Sequence, residues 1–129
     1  MKTLFVCKHN RFRSKVAEAI AKKIDKKNEY KSAGIQLDFS RPYIAENVKE
    51  ALRQRGIFET DEQARELNIL DLEWADKIIV VADNINKEIF PREKTEIWII
   101  KDADEEDKDK IEIIVDEIGK KVRALLDYG

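Results

Sequence analysis

Hydrophobic positions along this chain follow two rhythms. Short continuous apolar runs alternate with longer stretches in which apolar residues recur every three or four positions. Thr3–Val6 is the first short run, and Lys77–Ala82 (Lys-Ile-Ile-Val-Val-Ala) is the clearest. Runs without in–out alternation predict strands covered on both faces. Tyr30–Ala33 and Glu96–Ile100 read as two more strands. Ser14–Lys27 is predicted helical, with Val16, Ala17, Ile20, Ala21 and Ile24 on one stripe. Tyr43–Arg55 repeats the pattern with Ile44, Val48, Ala51 and Leu52; Pro42 suits its first turn and Gly56 follows its end. Asp61–Leu67 and Asn84–Phe90 read as short helices, the second stopped before Pro91. From about Asp104 to Leu126 runs a long helix with Ile111, Ile114, Val115, Ile118, Val122 and Leu125 on one side.

Strands alternating with helices predict an α/β fold. We expect one domain over residues 1–129, an open, mainly parallel four-stranded sheet with helices on both faces. Ligand sites in such sheets lie beyond the carboxyl ends of the strands. Cys7 follows the first strand and Asp102 the last, so both fall on that edge.

Composition narrows the function. Hydrophobic residues make up 43% of the 129 and charged residues 40%, enough apolar material for a modest core. A net charge of −2 gives no bulk attraction to nucleic acid or an anionic membrane, so neither is expected as a partner. The apolar N-terminal run stops after Val6, too short for a signal peptide or a membrane span. A single cysteine excludes an intrachain disulfide or a cysteine-rich metal site and predicts a reducing, cytoplasmic setting.

That cysteine stands where the chemistry is richest. The first strand runs into Cys7, then Lys8-His9-Asn10-Arg11-Phe12 leads to Arg13 and Ser14, where a helix opens. A loop from strand end to helix start aims backbone N–H groups at one place, and the helix dipole adds positive charge there. The place suits a tetrahedral oxyanion, and with Arg13 the same field favours a thiolate. The spacing lets N–H groups from Lys8 to Arg13 wrap a phosphate and returns a planar guanidinium to grip two of its oxygens. Ser14 can donate a hydrogen bond to the sulfur. Asn10 tolerates a left-handed backbone and can brace the loop. Lys8, Arg11 and Phe12 complete the loop and are candidates for its mouth. His9, the chain's one histidine, reads as a loop residue rather than a base or metal ligand. Spacing alone equally allows Cys7 to be a small core residue; the flanking strand and helix favour the phosphate loop.

Val6–Ser14 resembles the phosphate-binding loop of the low-molecular-weight protein tyrosine phosphatases and the related arsenate reductases. There Cys-x-Gly/His-Asn-x-x-Arg-Ser precedes a helix containing Ala-Glu-Ala; Cys7, His9, Asn10, Arg13, Ser14 and Ala17-Glu18-Ala19 match. The resemblance continues through Ser32-Ala33-Gly34, Arg41-Pro42, Arg55-Gly56-Ile57 and the strand after Ala75-Asp76. It implies a cysteine-dependent phosphatase without cofactor or metal. Cys7 is then the nucleophile and Arg13 the oxyanion clamp, and Ser32 supports Asn10. The family's general acid belongs to an Asp-Pro pair after the last strand. Asp102 falls on that position, but Ala103 replaces the proline and Asp104 is a rival. Glu62-Gln63-Ala64-Arg65 stands where the family has His-x-Ala-Arg. Phe39 and Tyr43 fall where the family places an aromatic wall for the substrate ring. Asp104-Glu105-Glu106 replaces tyrosines that often follow the acid. The substrate implied is a phosphorylated protein or a small phosphomonoester. An arsenate reductase drawing on an external thiol is the alternative, since Cys7 stands alone, and a non-catalytic oxyanion-binding domain is the third reading.

Overall fold

The computed structural model describes residues 1–58 and 60–126. Its elements in chain order are β1 (Lys2–Cys7), α1 (Arg13–Ile24), β2 (Glu29–Gly34), α2 (Glu46–Arg53), α3 (Ile69–Trp74), β3 (Lys77–Val81), β4 (Thr95–Trp98) and α4 (Lys108–Leu125). Short 3₁₀ turns at Lys87–Ile89 and Arg92–Lys94 separate β3 from β4. The strands form one sheet in the order β2-β1-β3-β4, every neighbouring pair parallel.

Alternation along the strands divides the core in two. Phe5 and Ile79 face α1, α2 and α4, packing with Val16, Ile20, Val48, Leu52, Val115 and Ile118. Leu4, Val6, Ile78 and Val80 face the other way, toward Phe90 and the partly buried Leu72 and Trp74 of α3. Helices thus cover both faces, as the apolar runs require. Phe5 sits between Tyr30 and Trp98, with ring centroids 6.2 and 6.1 Å away. Among the described residues no helix is long and apolar enough to cross a membrane.

The departures from the sequence reading have local causes. Residues 61–67 are not helical. Their backbone is claimed by neighbours instead: Ala64 N–H donates to Pro42 O, Gly34 N–H to Arg65 O, and Leu67 N–H to Gly34 O. The helix in this region starts later, at Ile69. There the Asn68 side chain accepts from Leu70 and Asp71 N–H, and Asp71 answers by accepting from Asn68 N–H. The second predicted helix starts at Glu46 rather than Tyr43, because Ile44 N–H is held by Glu62 O in an extended bridge. The last one starts at Lys108, capped by Asp107.

Candidate active site

Parallel pairing sets Cys7 beside Gly34, at the carboxyl ends of β1 and β2. The loop that follows Cys7 folds tightly over Gly34. A Cβ on Gly34 would stand 2.8 Å from Asn10 N and His9 C and 2.9 Å from Lys8 O, all backbone atoms. Gly34→Ala is therefore expected to cost about 1–3 kcal/mol, since the loop rather than a side chain must give way. Thermal melts and kcat/KM should fall together; an unchanged kcat/KM would show that the loop geometry is not critical.

Asn10 turns the loop with φ 55°, the left-handed region that asparagine enters more readily than most residues. Its buried amide is fully used. Oδ1 accepts from Arg65 N–H at 2.9 Å, while Nδ2 donates to Ser14 Oγ at 2.7 Å and Ser32 Oγ at 2.9 Å. Both serine oxygens therefore accept, and their own hydrogens point elsewhere. Ser32 donates to Glu18 Oε1 at 2.5 Å. Ser14 Oγ lies 2.9 Å from Cys7 Sγ and has its proton free for the sulfur. Donation thus diverges from the Asn10 amide, through Ser32 to the Glu18 carboxylate on one side and through Ser14 to Cys7 on the other. The Glu62-Gln63-Ala64-Arg65 stretch, which lacks the resembled family's histidine, is met by a buried lysine. Lys15 Nζ donates to Gln63 O at 2.7 Å, and burial pushes its ammonium pKa down.

Arg13 opens α1 and is 2% exposed. Nη1 donates to Ile100 O at 2.8 Å and Asp83 Oδ1 at 3.2 Å; Nη2 donates to Asn84 Oδ1 at 3.2 Å. Asp102 Oδ2 is 3.7 Å from Nη2. Cys7, His9, Arg11, Phe12, Arg13 and Asp102 share a cleft of about 340 Å³. A larger cleft of about 770 Å³ beside α1 is lined by lysines such as Lys15, Lys22 and Lys26 and contains none of the predicted site residues.

The acid loop also brings Asp104 to the cleft. Asp104 Oδ1 is turned back onto Glu106 N–H at 2.8 Å, whereas Asp102 accepts from Ala103 N–H at 2.9 Å and keeps Oδ2 toward Arg13. Around the mouth, Arg11 and Arg41 both meet the Glu105 carboxylate. Arg41 also pairs with Asp38, which, with the Ser40 hydroxyl as the larger cause, holds the Asp38 carboxyl at about 2.

Of the other predicted residues, His9 donates from Nδ1 to Gln36 O at 2.5 Å. Phe12 is buried against the core and reaches the cleft from below. Lys8 presents its carbonyl to Gln36 N–H. Phe39 and Tyr43 are 78% and 60% exposed, and among the described residues neither lines the cleft over Cys7. The sequence reading missed Glu18, Asp83, Asn84 and Glu105 as parts of the site. Asp83-Asn84 had a signal, because it follows β3 on the same sheet edge as Cys7. Among the described residues no cluster of three or more His, Cys, Asp or Glu side chains is placed to hold a metal ion.

Comparison with known proteins agrees with this geometry. The chain matches the family model described as low molecular weight phosphotyrosine protein phosphatase over residues 2–128. An arsenate reductase from Archaeoglobus fulgidus DSM 4304 is 28% identical, with a TM-score of 0.80 over 97% of this chain and 98% of that one. A low molecular weight protein tyrosine phosphatase from T. tengcongensis is 24% identical, with a TM-score of 0.83 over 100% and 99%. The arginine phosphatase YwlE, known from Bacillus subtilis, is 22% identical, with a TM-score of 0.84 over 99% and 95%. The last two likenesses concern the fold. Comparison with curated proteins gives no match. With the family model covering residues 2–128, the chain belongs to the low molecular weight phosphotyrosine protein phosphatase family.

Proposed function

We propose that this protein hydrolyses phosphomonoesters, as a tyrosine-phosphatase-type enzyme, through a phosphocysteine intermediate. The observation that carries the reading is Cys7 Sγ within 2.9 Å of Ser14 Oγ, at the foot of a loop whose cleft also contains Arg13 and Asp102. The Cys7 thiolate attacks phosphorus in line, forming the S–P bond as the P–O bond to the leaving group breaks. Asp102 gives its proton to the departing oxygen. The ionised Asp102 then takes a proton from water, which attacks phosphorus and breaks the S–P bond. Phosphate leaves, and thiolate and acid are restored. Loop N–H groups and the Arg13 fork stabilise the equatorial oxygens in both steps.

Each carboxylate accepts from one backbone N–H; what favours Asp102 as the acid is its second oxygen, which lies 3.7 Å from Arg13 Nη2. Asp102→Asn should lower kcat/KM by about 10²–10³-fold for esters of poor leaving groups and far less for an activated aryl phosphate. Asp104→Asn is the control. If it alone shows leaving-group dependence, the acid lies two residues further on; if neither variant does, the general-acid step is wrong.

Arsenate reduction is the second reading. It is favoured by the 28% likeness to an arsenate reductase and by the His9-Asn10 pair in the loop. With Cys7 as the chain's one cysteine, the reducing electrons would have to come from an external thiol. The purified protein should be assayed in parallel on an aryl phosphate, a phosphotyrosyl peptide, phosphoarginine, and arsenate with several thiols. Hydrolysis without thiol supports the phosphatase; thiol-dependent arsenate reduction with no hydrolysis replaces it.

A further inference from the structure

We infer that Glu105 is a positioning residue that straps the loop carrying Asp102 to the phosphate loop. This rests on the reading of Asp102 as general acid. Residues 99–107 join β4 to α4 without a regular element. On the upstream side they are anchored at Ile100, which is fully buried and whose carbonyl accepts from Arg13. Asp102 comes two residues later with its side chain 46% exposed. The next residue is Ala103, which lacks the ring that would fix φ, so backbone stiffness does not hold the acid over the cleft.

Glu105 supplies the missing anchor. Its carboxylate meets the Arg11 guanidinium and lies 3.4 Å from Arg41 Nη1, and its carbonyl accepts from Asn47 Nδ2 at 2.8 Å. The far ends of the strap are themselves fixed. Arg11 Nε donates to Tyr43 O at 2.9 Å, and Arg41 Nε to Asp38 Oδ2 at 2.9 Å. An isolated exposed ion pair contributes little. Here the Arg11 side chain is only 11% exposed and one carboxylate serves both guanidinia. Burial and the neighbouring Arg41 charge both disfavour the protonated Arg11, and the Asp38 charge works against them. Arg11 lies in the same loop as the nucleophile. The strap therefore sets the acid relative to Cys7 directly rather than through the core.

A general acid must come within hydrogen-bond reach of the leaving oxygen, and a misplacement of about 1 Å can cost ~10²-fold. Glu105→Ala should therefore act like a weakened Asp102→Asn. We expect kcat/KM to fall about tenfold for the poorest leaving groups and to stay within about twofold for an activated aryl phosphate. Losing the carboxylate also removes a negative charge from beside Arg11, while Arg41 keeps Asp38, and so strengthens the positive field on a dianionic substrate. That effect acts equally on all esters and leaves the leaving-group dependence untouched.

The experiment is a series of aryl and alkyl phosphates of graded leaving-group pKa. They are measured with the wild type, Glu105→Ala, Arg41→Ala, Asp102→Asn and the Glu105→Ala/Asp102→Asn double variant, with thermal melts confirming that each is folded. The expected result is a steeper decline in Glu105→Ala and a smaller steepening in Arg41→Ala, which keeps the Arg11 arm. The double variant should be no steeper than Asp102→Asn alone, because Glu105 acts through Asp102. A uniform loss across the series, or steepening that adds to that of Asp102→Asn, overturns the strap. A steep Asp102→Asn beside a flat Glu105→Ala also removes the strap and leaves the acid in place. A flat Asp102→Asn removes the acid itself and the inference with it.

Discussion

Replacing Cys7 by serine is expected to abolish turnover, by about 10⁴–10⁶-fold, while leaving the fold and oxyanion binding intact. Cys7 is 2% exposed, and its place at the end of β1 is held by sheet pairing rather than by the sulfur. A hydroxyl fits the same space and can still meet Ser14. It remains protonated at neutral pH and is a far weaker nucleophile. The oxyanion donors are elsewhere, on the loop backbone and Arg13, so vanadate or phosphate should still bind. Calorimetric titration with vanadate, beside a thermal melt and an aryl phosphate assay, separates these claims. Undiminished hydrolysis by Cys7→Ser would remove the mechanism; lost vanadate binding in a folded variant would show that the sulfur also shapes the site.

Arg13→Lys should be nearly as damaging as Arg13→Ala, with kcat reduced about 10²–10³-fold or more. Charge is not the point. Nη1 and Nη2 reach Ile100 O, Asp83 and Asn84 from one rigid plane, and that bracing orients the fork. A lysine ammonium has a single nitrogen and cannot serve three partners on two sides while gripping two phosphoryl oxygens. The grip matters most when the equatorial oxygens spread in the transition state, so kcat should fall along with any rise in KM. Recovery of most of kcat by lysine would mean that charge alone suffices.

The loop proposed to hold phosphate was legible in the sequence because its parts are contiguous. Strand, cysteine, arginine and helix lie within residues 2–24, and local geometry brings them together. The sheet was legible because buried strands write themselves as apolar runs. Partners supplied across the fold were not. Glu18 reaches Cys7 only through Ser32, Asn10 and Ser14, and Glu105 reaches Arg11 from the far end of the chain, across the fold. Residues 61–67 misled for a related reason. Hydrogen bonds to the Pro42 carbonyl and with the Gly34 backbone override the weak local preference for helix. The helix at Ile69–Trp74 was hidden because it buries no residue and so leaves no apolar stripe; only its Asn68/Asp71 cap announces it. Asp102 and Asp104 are alike in the sequence, and each accepts one backbone N–H in the fold; the partner that differs, Arg13, is distant along the chain and meets Asp102 only in the fold.

The full engagement of Asn10 makes this enzyme sensitive to a single atom. Exchanging Nδ2 for oxygen, which is all that hydrolysis of the amide does, leaves size and shape unchanged but turns a double donor into an acceptor. The hydroxyls of Ser14 and Ser32 would then both turn toward residue 10. Ser14 would desert Cys7, and a new negative charge would sit beneath a site built for anions. Burial shields the amide from water as long as the loop stays closed. The working lifetime of the proposed nucleophile is thereby tied to the slow chemical ageing of an asparagine whose side chain braces the loop.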